Sequence, residues 1–229
     1  MVLRILPLVA GILPLIAMFG AFWLGVAHDV LPPSCIPFID GCVSISATGR
    51  KPPGSFLFRA IMLPQAALLV ALWYCTVLWL RSLDSNVRES TLTAILISGL
   101  VGALALAVYV TFLGTKEPIY EFMRRIGIYF GFLGLALAQL ITAVALVRSS
   151  VVVSRVRLYT AAKYLLALCV ATFVLGILNL ILKSVLDDPD ATENRIECIA
   201  TVLMHCYFFV LFFAWRLTGF SAAVSTRLD

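Results

Sequence analysis

Residues 126–147 read IGIYFGFLGLALAQLITAVALV, twenty-two positions with no charge and a single amide, Gln139. An α-helix rises about 1.5 Å per residue, so this run matches the roughly 30 Å hydrocarbon core of a bilayer. A membrane β-barrel would instead show alternating segments of about ten residues. A helix also satisfies its own backbone hydrogen bonds, as lipid requires. Five further runs share this character, at about 5–27, 56–80, 91–114, 158–182 and 196–220. The sequence therefore predicts an all-α fold, a polytopic transmembrane bundle of about six helices forming a single membrane domain over 1–229.

Composition agrees. Of the 229 residues, 62% are apolar and 13% are charged, against about 25% charged in an average soluble domain. The charges cluster between the apolar runs, where lysine and arginine act as helix-end anchors and lipid head-group contacts. The net charge of +5 forms no continuous basic face, so nucleic acid is not an expected partner. The first run follows Arg4 and ends in Gly25-Val26-Ala27, which resembles a signal-peptide cleavage site. It is longer than the 7–15 residues of a signal core and is expected to remain as a helix.

The loops between runs are short except the first, 28–55, which is rich in Pro, Gly and Ser. It holds Cys35 and Cys42, which could close a small disulfide ring if the loop faces an oxidising compartment. The other cysteines, Cys75, Cys169, Cys198 and Cys206, lie in apolar runs. Lysine and arginine divide almost evenly between the two sides, so charge bias alone does not orient the chain. The acid-free loop 148–157, with its three arginines, and the candidate Cys35–Cys42 ring both favour cytoplasmic termini.

Within the fourth run, Gly127, Gly131 and Gly134 share one helix face. Small residues at such spacing let helices approach closely in lipid, and Ser98, Gly99, Gly102 and Ala103 of the third run could form the facing groove. Gln139 and His205 sit near mid-membrane, where a polar side chain is costly and turns toward the bundle interior. Interhelical hydrogen bonding is the expected role of both. Asn179 and Glu197 fall near span ends and read as interfacial. Arg59, Lys163 and Arg216 read as snorkelling side chains.

Several chemistries find no motif. There is no His-Glu-x-x-His, no Cys-x-x-Cys and no phosphate-binding glycine loop. The acidic stretch 187–193 does not match a calcium loop. The two histidines, His28 and His205, lie at different depths and do not suit a bis-histidine haem. No metal and no cofactor are expected.

The first loop carries the most specific pattern: Pro37-Phe38-Ile39-Asp40, then Thr48-Gly49 and Pro52-Pro53, just before a span opening Phe56-Leu57-Phe58. This resembles the DRAM/Frag/Sfk-type membrane proteins, which include the damage-regulated autophagy modulators and the post-GPI-attachment lipid-remodelling factor. The layout of six spans and the aromatic last span, 207–220, are similar too. The chain departs from the family pattern at 41–47, which intervene before Thr-Gly, and at Gly54, where an acid follows Pro-Pro in relatives. Arg124-Arg125 stands where some relatives have a histidine.

The resemblance implies lipid handling or lipid organisation, in an accessory and non-catalytic role. Membrane lipids are then the expected partners, with a protein partner at the outer loop as a further expectation. Asp40, Arg50, Lys51, Arg124 and Arg125 are the candidate lipid or partner contacts. A lipid-modifying enzyme is the alternative, and would need Asp40, Arg50, Glu117 and Arg124 to converge. A small-molecule transporter is a second alternative, although inverted repeats and broken helices are not evident.

Overall fold

The computed structural model describes residues 2–221. Residues 222–229, which follow the last span, lie outside the described residues. Among the described residues, six helices are long and apolar enough to cross a membrane. They are α1 (Leu6–Ala27), α4 (Gly54–Leu83), α5 (Glu89–Thr111), α6 (Pro118–Arg148), α8 (Val156–Val185) and α9 (Asp190–Leu217). Three short helices join them: α2 (Pro37–Asp40), α3 (Ile45–Thr48) and α7 (Ser150–Val153). The protein is an integral, multi-pass membrane protein.

The apolar runs locate the spans, but the helices overrun them. α6 starts eight residues before the run at 126, with Pro118 in its first turn, where a missing N–H costs nothing. Glu121, Arg124 and Arg125 thereby join the helix: Arg125 bonds Glu121 at 2.7 Å and Arg124 bonds it at 3.2 Å. α9 likewise begins at Asp190, with Asp190 and Glu193 in its first turn, where acids offset the positive helix end. Hydropathy marks what lipid covers, whereas capping and ion pairs set where helices end.

The spans form a closed ring. α1 packs on α4, α4 on α5, α5 on α6, α6 on α8, α8 on α9, and α9 returns to α1. The tightest joint is α5 against α6. A Cβ added at Gly134 would lie 2.6 Å from the Gly102 nitrogen, and one at Gly127 would lie 2.5 Å from the Tyr109 nitrogen. These glycines bring two backbones into contact. Gly99 takes no part in that groove, because it faces the Trp73 ring of α4.

The even number of spans puts the start of α1 and the end of α9 on one face, here the termini face. There Arg4 donates to the carbonyls of Phe220 and Gly219 at 2.7 and 2.8 Å. Trp79 Nε1 donates to Thr218 Oγ1 at 2.9 Å. The larger buried cluster fills this half of the ring around Trp73, Trp79, Tyr207 and Trp215. The opposite, loop-face half is packed by a smaller cluster that includes Phe58, Met62, Tyr109 and Cys198. The ring is dense at the termini face and hollow toward the loop face.

Candidate functional site

The hollow holds a narrow cavity of about 100 Å³, walled by α1, α4, α5, α6 and α9 and covered by α3. Met18, Phe58, Met62, Leu106, Leu135 and Phe208 make its wall largely apolar. Its polar exceptions are specific. Pro14 has no N–H to give the carbonyl of Ala10 one turn earlier, and Gln65 Nε2 donates to that carbonyl at 2.9 Å. Gln65 is 1% exposed, and its Oε1 is left without a donor. The buried Thr201 hydroxyl also lacks a partner. His205 Nδ1 lies 2.6 Å from the Thr201 carbonyl, a contact that needs the proton on Nδ1. Nε2 of the neutral ring is then an acceptor.

A second, polar cavity of about 450 Å³ lies toward the loop face between α6, α8, α9 and the first loop. It is lined by Arg50, Arg125, Asn179, Glu193, Asn194 and Glu197, among others. The two cavities share Ser46, Ile128, Phe132 and Glu197. They are therefore neighbours through a common wall, one apolar and deep, the other polar and near the surface.

The first loop supplies the roof because it is tied down onto α9. Cys35 and Cys42 are joined in a disulfide, their Cα atoms 6.1 Å apart. Asp40 accepts the Ile36 N–H at 2.7 Å, which closes α2 on itself. Gly41, at φ 65°, turns the chain against the backbone of Ala191, a conformation glycine adopts without penalty. Asn194 donates to the Gly41 carbonyl at 2.7 Å, and Arg195 to the Asp40 carbonyl at 3.3 Å. Ser44 caps α3 by accepting the Ala47 N–H at 3.2 Å. Ser46 then donates its N–H to Glu197 at 3.4 Å, and its hydroxyl oxygen accepts from Arg50 at 2.9 Å.

The side of this site toward lipid is open. α8 buries Leu158, Ala161, Ala162, Leu165 and Cys169, all in its first half. From 170 to 185 no residue is buried. A side chain at Gly176, which lines the polar cavity, would meet nothing within 4 Å. The outer half of α8 therefore stands off from the core and leaves the polar cavity a flank without packed side chains.

A family model, the Frag1/DRAM/Sfk1/Cwh43P N-terminal domain, matches residues 2–184. The chain belongs to this family. No curated protein and no solved structure gives a match. In this Frag1/DRAM-type protein the matched segment covers α1 to α8, and α9 follows it. Glu197, Thr201 and His205, which α9 brings to the cavities, thus lie outside the matched residues.

Of the residues singled out from the sequence, Arg50 and Arg125 line the polar cavity and His205 the deep one. Gly127 and Gly131 also line the deep cavity. Asp40 and Lys51 are exposed and line neither cavity. Arg124 is largely covered, with 14% of its side chain exposed, and rests on Glu121. Gln139 makes the expected interhelical bonds: it donates to the Met204 carbonyl at 3.0 Å, and its own carbonyl accepts from the Tyr207 hydroxyl at 3.1 Å.

Three readings are corrected. His205 makes no interhelical bond among the described residues: its Nδ1 lies against the Thr201 carbonyl one turn back in its own helix. Glu197 is not simply interfacial, because the first loop folds back over it and turns its carboxylate to the cavities. Arg59 does not snorkel: its guanidinium donates to the Leu113 carbonyl at the end of α5. Gln65 and Thr201 were not singled out. The available signal was the four-residue spacing of Glu197, Thr201 and His205, which puts three polar groups on one face of an otherwise apolar helix.

Proposed function

We propose that this Frag1/DRAM-type protein is an accessory, non-catalytic lipid-handling protein that holds one membrane lipid at a time. A segment of one acyl chain occupies the deep apolar cavity, and the head group occupies the polar cavity beneath the first loop. The observation that carries this reading is the shared wall of the two cavities at Ser46, Ile128, Phe132 and Glu197. An apolar slot that continues into a charged one matches an amphipathic ligand, and concave apolar sites with a few placed polar groups are the usual form of a binding site. The unpacked outer half of α8 gives a lipid sideways access from its own leaflet.

In this reading Arg50 and Arg125 meet the head group, while Asp40 orders the loop that positions them. Lys51 and Arg124 contribute positive potential around the same site. Both termini are cytosolic, and the loop face, with its Cys35–Cys42 bond, lies on the oxidising side. The test is native mass spectrometry of protein released gently from its own membrane. A retained lipid is expected, displaced by Ile128→Trp, which blocks the wall common to both cavities. Protein that keeps its fold but carries no lipid, or an Ile128→Trp variant with unchanged lipid, would overturn the proposal.

A further inference from the structure

The polar cavity holds two opposite charges that the protein leaves open. Among the described residues, Arg50 and Glu197 take part in no ion pair. The other charges lining the cavity are engaged, Arg125 with Glu121 at 2.7 Å and Glu193 with Lys183 at 3.0 Å. Arg50 rests on the Ser46 hydroxyl, which is also 3.1 Å from the Ser44 hydroxyl. Glu197 receives only the long Ser46 N–H contact at 3.4 Å. Ser46 therefore stands between a guanidinium and a carboxylate, each with unfilled hydrogen-bonding capacity and each facing one cavity.

A guanidinium resting on one hydroxyl, with a second hydroxyl next to that one, can hold a phosphate. A carboxylate with open lone pairs on the other side of Ser46 can take an ammonium. Ser46 alone bridges the two, accepting from Arg50 at 2.9 Å and donating its N–H to Glu197 at 3.4 Å, so the phosphate and the amine of one small head group can reach both. We infer that the site, on the lipid-binding reading above, selects a phospholipid whose head group carries a hydrogen-bonding ammonium, of the ethanolamine type. Arg50 and the Ser44 and Ser46 hydroxyls take the phosphate, and Glu197 accepts N–H bonds from the amine. A choline head group has no N–H to give, and a glycerol head group has no positive charge.

The experiment is native mass spectrometry of the purified full chain with an equimolar mixture of phosphatidylethanolamine, phosphatidylcholine and phosphatidylglycerol of identical acyl chains. The ethanolamine lipid is expected at about tenfold the occupancy of either competitor, the equivalent of one charge-assisted hydrogen bond. Glu197→Gln is expected to abolish that preference while total lipid occupancy persists, and Arg50→Gln to lower all three lipids together. Ranking is read within one sample, so a partly unfolded variant does not obscure it. Equal occupancies in the unmodified protein, a preference for the glycerol lipid, or a ranking that Glu197→Gln leaves unchanged would overturn the inference with lipid binding intact. Absence of every adduct would remove the lipid-binding reading itself.

Discussion

Gln65 on α4 repairs a hydrogen bond that Pro14 removes from α1. Its Nε2 donates to the Ala10 carbonyl at 2.9 Å, the acceptor that the residue at position 14 would ordinarily serve. A buried carbonyl without a donor costs about 1–3 kcal/mol. Gln65→Leu is therefore expected to destabilise the bundle by about that amount. Pro14→Ala restores the backbone donor, so Pro14→Ala/Gln65→Leu should lose less than Gln65→Leu alone. Thermal denaturation of the three variants in detergent checks the coupling.

The glycines of α6 are not equivalent. At Gly134 a Cβ would lie 2.6 Å from the Gly102 nitrogen, a backbone atom that cannot yield. At Gly131 the nearest neighbour would be 3.5 Å away. Gly134→Ala is expected to cost about 1–3 kcal/mol by forcing α5 and α6 apart, and Gly131→Ala to stay within about 0.5 kcal/mol of neutral. Unfolding midpoints of the two variants, measured side by side, decide it.

At the termini face, buried Asp84 accepts the Ser149 hydroxyl at 2.6 Å and the Asn86 N–H at 2.9 Å. These bonds, the Ser149 hydroxyl first, hold its carboxyl below its ordinary value of 3.8. A folded-state pKa that is depressed adds stability above the unfolded pKa, and that stability is lost as pH falls through the folded value. Ser149→Ala should lower the unfolding midpoint by a few degrees at neutral pH. The difference from the unmodified protein should narrow once the pH drops below the ordinary carboxylate range, leaving only the pH-independent loss of the Ser149 cap on Val152. Melting curves over a pH series read this directly.

The Cys35–Cys42 bond holds the loop that roofs the site. In the intact protein, thiol reagents are expected to miss Cys35 and Cys42, and to reach the buried Cys75, Cys169 and Cys198, unlike the half-buried Cys206, only after unfolding. Cys35→Ser/Cys42→Ser should weaken the loop by about 2 kcal/mol and reduce lipid occupancy with it. Unchanged occupancy would separate the roof from the site.

The ring of spans was legible because bilayer thickness imposes a minimum apolar length on every spanning helix, and runs such as 126–147 meet it without ambiguity. The close α5–α6 joint was legible too, since Gly127 and Gly134 recur on one face. The site was legible only in part. Arg50 stood out as a loop cation, but its neighbour Glu197 sits at the edge of an apolar run, and hydropathy cannot distinguish an interfacial acid from one covered by a returning loop. That loop closes over α9 through Asn194 and the Gly41 turn, contacts between residues more than 150 positions apart. Gln65 was hidden for the same reason: its role depends on Pro14 of another helix.

The most direct test is photo-crosslinking with a phospholipid that carries its reactive group midway along one acyl chain, followed by peptide mapping. The account expects adducts on residues that line the deep cavity, such as Met62 and Met204. Adducts confined to the outward faces of the ring, at positions such as Val174 and Leu180, would contradict it.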